Sequence, residues 1–513
     1  MKVRSNVLKL ALFATGLSGI VAEYVLSTLA TYFLGDSVFQ WTMIVSIMLF
    51  SMGLGSRISK YFVKDLLKKF ILIEFSLSIL AAYVSVLTYL VSAYYGYTGV
   101  VIYSLSIIVG LMIGMEIPIV IRLNDEYQSL RVNVSSAMEN DYYGSLLGGV
   151  FFAFIGLPYL GLTYTPFILG SINFMVAILL MVILWRDLEK PLRLNLGSFA
   201  MITAILLVAG VTNARTIIAF GEEERYRDKV IFTQQSKYQQ IVITQSKEDF
   251  WLFINGNQQM STVDEVMYHE PLVHPVMKLA LNPKHILVLG GGDGGAVREI
   301  LKYDDVEEIT LVDLDPAMTD LGKEHPLLVE MNQNAMNHPK VEVINMDGYQ
   351  FLENGRDYFD AIIIDLPDPK TVELGRLYSF EFYKLCYKKL RPNGVIITQA
   401  GSPYYAAKAF NCIDRTMSEA GFTTAPLHNQ VVTLGEWGWV LGAKEVDKAT
   451  LKKALQSLTF DDVPTRWINH DAMTLITSFG KKVFIGDQDS VEVNKIHNPV
   501  LYKYYLDGHW DLY

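Results

Sequence analysis

Residues Lys284 to Asp315 read KHILVLGGGDGGAVREILKYDDVEEITLVDLD, and their interpretation decides the fold of the carboxyl-terminal half. Ile286 to Leu289 form an apolar run of the kind found in a buried parallel strand, and it leads directly into GGGDGG. Ala296 to Lys302 has helical spacing, and a second β-rich run, Ile309 to Val312, ends in Asp313. The pattern predicts a βαβ unit with a ligand loop at the carboxyl end of its first strand. Gly290, Gly292 and Gly295 fit the spacing G-x-G-x-x-G, which by itself discriminates poorly between nucleotides. Asp293 discriminates better. A pyrophosphate would rest on the helix amino terminus at this point, and a carboxylate there would repel it. The same carboxylate suits an ammonium or sulfonium group, so an S-adenosyl-type nucleoside is preferred to a dinucleotide. Asp313, at the tip of the second strand, is placed to accept hydrogen bonds from a ribose diol.

The α/β alternation continues beyond this unit. Strands are expected at 341–345, 360–364, 394–398, 431–434 and 437–441, with helices over Phe380 to Leu390 and Tyr404 to Ala420. This gives a sheet of about seven strands, of the Rossmann-like type seen in S-adenosylmethionine methyltransferases. Asp293, Asp313, Asp347 and Asp365 all fall at or just past strand carboxyl ends, the rim on which open α/β sheets bind ligands. Asp347 can pair with an adenine amino group, while Asp365 and Asp368 on one loop suit a substrate ammonium. No histidine stands in that loop, so a metal centre is not expected there. Upstream, residues 230 to 262 alternate as short strands with a hairpin signal at Asn255-Gly256, forming a small β-rich lobe. Asp264-Glu265 and Tyr268-His269-Glu270 follow on a helix whose spacing groups Asp264 with Tyr268 and Glu265 with His269. Cys386 and Cys412 are the only cysteines, too few for a disulfide framework or a thiolate zinc site.

The amino-terminal half differs in kind. Although 51% of the chain is hydrophobic, the apolar residues concentrate before position 220. Candidate membrane spans lie near 7–33, 39–58, 70–94, 98–121, 142–163, 166–185 and 197–219, about seven in all, most of them exceeding the ~18 apolar residues a crossing needs. Positive charge falls on alternate loops: Lys2, Arg4 and Lys9; Arg57, Lys60, Lys64, Lys68 and Lys69; Arg122 and Arg131; Arg186, Lys190 and Arg193. The positive-inside rule therefore predicts an inner-membrane protein with a cytoplasmic amino terminus, and an odd number of spans carries the soluble half to the outer side. Glu23, Glu74 and Glu116 fall within spans, with Glu139 and Asp141 at the entrance to the fifth. They serve either as carboxyls hydrogen-bonded between helices or as a path for an organic cation. The net charge of −10 gives no reason to expect nucleic acid. The organisation is thus a transmembrane domain (1–220), a β-rich lobe (221–283), a Rossmann-like domain (284–445) and an extension without a readable motif (446–513).

Taken together and in order, Tyr238-Gln239, Asn255-Gly256, Asp264-Glu265, Tyr268-His269-Glu270, GGGDGG, Asp313, Asp347-Gly348 and D-x-x-D-P from Asp365 resemble spermidine synthase, a polyamine aminopropyltransferase. The whole chain resembles bacterial membrane-embedded members of that family. The resemblance implies aminopropyl transfer from decarboxylated S-adenosylmethionine, a co-substrate, to putrescine or a related amine, with no metal or redox cofactor. It makes Asp365 the proton acceptor and Asp368 its partner on the amine, with Tyr268 lining the amine site. Gln239, His269, Asp293, Asp313, Asp347 and Gly348 would hold the nucleotide, and a homo-oligomer is expected. Three positions depart from the family pattern. Leu366-Pro367 replaces Ser-Ser between the two acids, a second amine-site tyrosine is missing around Val432, and Asn255 replaces an aspartate. Glu436 or Trp437 is available to hold an amine instead. Two other classes remain open: a membrane polyamine transporter or sensor with a non-catalytic soluble domain, and a methyltransferase on the same fold.

Overall fold

The computed structural model describes residues 2–35, 37–94, 97–125, 129–185, 190–226, 228–480 and 491–510; Arg186 and Tyr513 fall outside these ranges. The chain forms two units that divide after Val230.

The first unit is a helical bundle: α1 (Lys2–Leu34), α2 (Ser37–Ser59), α3 (Leu66–Tyr94), α4 (Thr98–Asn124), α5 (Leu130–Phe151), α6 (Gly161–Ile183) and α7 (Lys190–Tyr226). By length and composition six helical runs could cross a membrane, the fifth being a 54-residue run from Leu130 to Ile183. A straight helix of that length would measure about 80 Å against a bilayer core of about 30 Å. It is not straight. A π-helical segment, Phe152–Leu160, ends at Gly161 with φ +61°. Thr165 Oγ1 then donates to the Gly156 carbonyl at 2.7 Å, a contact that straight-helix rise of about 13 Å over nine residues would forbid. The chain therefore folds back at Gly161, and the fifth and sixth predicted segments are two helices of one hairpin.

Small residues set how closely these helices approach. Gly144 and Gly148 of α5 sit against the backbone at Phe13 and Leu17 of α1, and Gly110 and Gly114 of α4 against Met48 and Met52 of α2. A methyl group at any of the four would collide with a carbonyl. Inside the bundle, the Thr15 hydroxyl hydrogen-bonds to the Glu116 carboxylate and lies 3.5 Å from Glu74 Oε1, and Ser18 donates to Asn173 Oδ1 at 2.7 Å. Of the three acids expected within spans, Glu74 and Glu116 therefore meet. Glu23 stands about 12 Å further along α1.

The second unit begins with a four-stranded antiparallel lobe, β1 (Lys229–Gln235), β2 (Gln240–Ser246), β3 (Asp249–Ile254) and β4 (Asn257–Ser261), in the order β1-β2-β3-β4. Asn255 and Gly256, both at positive φ, make the predicted hairpin turn. The Rossmann-like domain follows as α8 (Val266–Leu279), β5 (His285–Gly290), α9 (Gly295–Ile300), β6 (Glu308–Asp313), α10 (Pro316–Glu324), α11 (Pro326–Met331), β7 (Val341–Asn345), α12 (Gly348–Asn354), β8 (Phe359–Asp365), α13 (Val372–Gly375), α14 (Phe380–Lys389), β9 (Leu390–Gly401), α15 (Ala407–Glu419), β10 (Thr423–Val431) and β11 (Gly435–Ala443). The strand order is β10-β11-β9-β8-β5-β6-β7, with β11 antiparallel to both neighbours. Succession runs outward from β5 through β6 to β7, then returns to β8 on the other flank of β5. The crevice at the carboxyl ends of β5 and β8 is thus the topological switch point.

One strand was expected in the wrong place. Residues 432–434 form the turn, and the strand is 423–431. Pro426 interrupts its pattern, and a proline is tolerated because β10 is the sheet edge. The segment after 445 is no loose extension. Helices α16 (Lys448–Gln456), α17 (His470–Ile476) and α18 (Leu501–Leu506), with the loop after α16, feed Leu455, Phe460 and Met473 into the core on one face of the sheet, and Leu501 and Tyr505 into the core on the other.

Candidate active site

The switch-point crevice opens into a cavity bounded by the β-lobe (Gln239, Ile254, Gln258), by α8 (Tyr268, His269), by the glycine loop 290–293, and by Asp313, Asp315, the 365–368 loop, Gln399 and Trp437. Sheet register fixes the centre of it. Gly290 pairs with Asp365, and the Gly291 amide donates to the Asp365 carbonyl at 3.0 Å. Gly290 and Gly291 both hold positive φ, so the loop turns away immediately and leaves the Asp365 carboxylate facing the opening.

Tyr268 donates from its hydroxyl to Asp365 Oδ1 at 2.7 Å. Burial drives the Asp365 carboxyl up, Asp293 adds to this, and His269 and Tyr268 oppose it, for a net value of about 6. Burial likewise lifts Asp313 to about 6 against the Asp315 amide, which donates to Asp313 Oδ1 at 2.9 Å. His269 responds in the other sense. Burial disfavours its cation, but Glu265, 2.8 Å from Nδ1, and Asp293, 3.7 Å from Nε2, outweigh that and lift it to about 9. Glu265 is itself clamped by Arg298 through two hydrogen bonds of 2.9 and 2.7 Å; burial works against its charge, and His269 with Arg298 overcomes it to give about 2. The start of α8 is thus part of a buried ion-pair network, in which Glu265 and His269 are paired as their spacing predicts.

His269, Asp293 and Asp365 bring one donor atom each to within 4.8 Å of one another. The group presents a ring nitrogen and two carboxylates, and Glu265 takes the other ring nitrogen of His269. A second group, Glu270, His274 and Glu299, is fully buried and satisfied by protein: Glu270 accepts the amides of Arg466, Trp467 and Ile468 at 2.6–2.8 Å.

Of the residues singled out in the sequence, Gln239, Tyr268, His269, Asp293, Asp313, Asp365 and Asp368 line one cavity. Asp347 and Gly348 stand outside its lining. The Asp347 carboxylate caps α12 through the Gln350 amide at 2.9 Å and pairs with Arg376. Asp264 pairs with Thr433 rather than Tyr268, its Oδ1 accepting from the Thr433 hydroxyl at 2.9 Å. Glu436 is bound to His428, whereas Trp437 lines the cavity. Three further contributors were not singled out in the sequence. Asp315 caps α10 and accepts from Ser236 at 2.6 Å, joining the lobe to the nucleotide rim. Gln399, at the carboxyl end of β9 and so on the same rim, supports the acidic loop by donating to the Leu366 carbonyl at 2.8 Å. Tyr505, from the carboxyl-terminal segment, donates to Asp368 Oδ2 at 2.6 Å.

The chain is similar to known proteins over nearly its whole length. Residues 265–453 match the spermine/spermidine synthase domain. Over 506 residues the chain is 36% identical to the polyamine aminopropyltransferase of Oceanobacillus iheyensis, covering 96% of each. It is 38% identical to polyamine aminopropyltransferase 2 of Aquifex aeolicus, covering 98% of each. A crystal structure of spermidine synthase in complex with the transition state analogue AdoDATO is 28% identical with a TM-score of 0.45, over 49% of this chain and 85% of that one.

Proposed function

Because this chain belongs to the polyamine aminopropyltransferase family, we propose that its cavity binds decarboxylated S-adenosylmethionine beside putrescine or a related amine, with Asp365 as proton acceptor. The amine nitrogen attacks the propyl carbon next to the sulfonium. The new C–N bond forms as the C–S bond breaks, and the C–S electron pair stays on sulfur as methylthioadenosine leaves. The leaving group starts with a positive charge, so the displacement needs neither a metal nor a redox group. What it does need is an uncharged nucleophile held in line.

The observation that carries this reading is the Tyr268–Asp365 pair facing Asp293 across the glycine loop. A free alkylammonium titrates near 10.4, far above an ordinary carboxyl. Raising Asp365 from 3.8 to about 6 narrows that gap by about 3 kcal/mol. Tyr268 keeps the carboxylate oriented and so aims the amine. Asp293 and Asp368 suit the ammonium groups of donor and acceptor, Asp313 the ribose, and Gln239 and His269 the nucleoside.

The helical unit is proposed to lie in the inner membrane with its amino terminus in the cytoplasm. Helices long and apolar enough to cross, together with basic loops on alternate turns, support this. The catalytic reading is tested by incubating purified full-length protein with the decarboxylated donor and a panel of diamines, then measuring methylthioadenosine. Amine-dependent release is expected. Methyl transfer from S-adenosylmethionine itself, with no methylthioadenosine, would replace the reading by a methyltransferase.

A further inference from the structure

We infer that the carboxyl-terminal segment is part of the amine-acceptor site, with Tyr505 acting as a positioning residue for Asp368. The inference rests on the reading above, in which Asp368 meets the acceptor amine.

The loop between the two acids cannot organise itself. Leu366 and Pro367 have no side-chain donors, and Pro367 has no backbone N–H. Its support comes from behind. Tyr378 donates to the carbonyls of Leu366 and Pro367 at 3.2 and 3.1 Å, and Gln399 to that of Leu366 at 2.8 Å. For the Asp368 carboxylate, Gln399 Nε2 is 3.5 Å from Oδ1, the outer limit for a hydrogen bond, whereas the Tyr505 hydroxyl is 2.6 Å from Oδ2. Tyr505 is thus its short, oriented partner.

The competing partner is Lys370, whose ammonium lies 3.8 Å from the same Oδ2 and 5.6 Å above the Tyr505 ring, and donates to Asn257 Oδ1 at 2.7 Å. A carboxylate released by Tyr505 has a cation within reach, and pairing with it would cost Asp368 its attraction for a substrate ammonium. Tyr505 is held firmly. It is 3% exposed, and Asn494 ties its helix to the site by donating to the carbonyls of Gly375 and Tyr378 while accepting from the amides of Val500 and Leu501. The segment therefore supplies a hydroxyl to the acceptor end.

Steady-state kinetics on the full-length enzyme test this with Tyr505→Phe, Tyr505→Phe/Lys370→Met and Asp368→Asn. Tyr505→Phe should raise KM for the amine roughly ten- to a hundredfold, the worth of one hydrogen bond to a charged group, with KM for the donor unchanged. Removing Lys370 as well should recover much of that loss, which a purely structural tyrosine would not allow. An unchanged amine KM in Tyr505→Phe, alongside a raised one in Asp368→Asn, overturns the inference and leaves the site reading intact. If Asp368→Asn also leaves the amine KM unchanged, the assignment of Asp368 itself falls. Should Tyr505→Phe lose its fold by thermal melting, Lys370→Met alone decides: a markedly raised amine KM would make Lys370, not Tyr505, the group that orients Asp368, and an unchanged or lowered one supports the inference.

Discussion

The Tyr268 hydroxyl and the Asp365 carboxylate meet at 2.7 Å although they come from different layers of the fold, one from a helix and the other from the end of a central strand. Each constrains the other. Burial and the negative charge of Asp365 push the tyrosine well above its ordinary range, so it remains a donor, and its hydrogen bond holds the carboxyl below where burial alone would place it. Tyr268→Phe removes that restraint. The acidic limb of the kcat/KM profile, expected near pH 6, should move to higher pH. An unmoved limb would mean that another group sets it.

Asp365→Asn should lower turnover by about 10²- to 10⁴-fold, the usual cost of losing a positioned base. Because the amide keeps the Tyr268 partner, donor affinity measured by calorimetry should be retained. Turnover at the wild-type level would remove Asp365 from the chemistry.

Asp313 offers a test through stability. Its carboxyl titrates near 6 when folded against 3.8 ordinarily, so the folded state binds the proton more tightly than the unfolded chain. The resulting penalty is absent below about 3.8, grows between the two values and is complete above about 6, where it amounts to at most about 3 kcal/mol. Asp313→Asn should therefore raise the melting temperature of the second unit at pH 7.5 more than at pH 4, while weakening donor binding. An equal shift at both pH values would contradict the assignment.

Glu265→Gln should have the opposite effect on the fold. It leaves Arg298 and His269 buried with half their compensation, a change that commonly costs about 3–5 kcal/mol. His269, held near 9 against 6.5, contributes stability that is full below 6.5 and is lost as pH rises through about 9. In the variant its proton should dissociate at lower pH, which NMR of the imidazole would detect. An unshifted titration would exclude Glu265 as the cause.

The proposed membrane placement makes a prediction about sidedness. Were each of the seven helices a crossing, with α5 and α6 counted separately because the chain folds back at Gly161, the carboxyl terminus would lie on the side opposite the amino terminus. A reporter active only in the periplasm, fused after Tyr513, is expected to give signal. A silent periplasmic fusion beside a bright cytoplasmic one would place the second unit inside.

The nucleotide half of the site was legible because its residues lie within a few positions of strand ends that the hydrophobic pattern locates: GGGDGG after β5, Asp313 ending β6, Asp365 ending β8. Tyr268 and His269 were legible only through the family resemblance, since helical spacing alone could not bring them to Asp365. The tail contact had no local signal, because Tyr505 reaches Asp368 only through tertiary packing. Asp347 had the expected rim position, yet Arg376, distant in sequence, takes its carboxylate. Edge strand β10 was displaced by a proline that an edge tolerates and a central strand would not.

The three backbone amides that converge on Glu270 come from residues 466–468, beyond position 453 where the recognised domain ends. Isolating the second unit at that boundary would strand a buried carboxylate without its partners and uncover apolar surface on both faces of the sheet. Such a fragment should aggregate on expression. A fragment that keeps residues 466–468 and α18 retains both sets of contacts, so the packing of the sheet, rather than the limits of the family match, sets the boundary to be cloned.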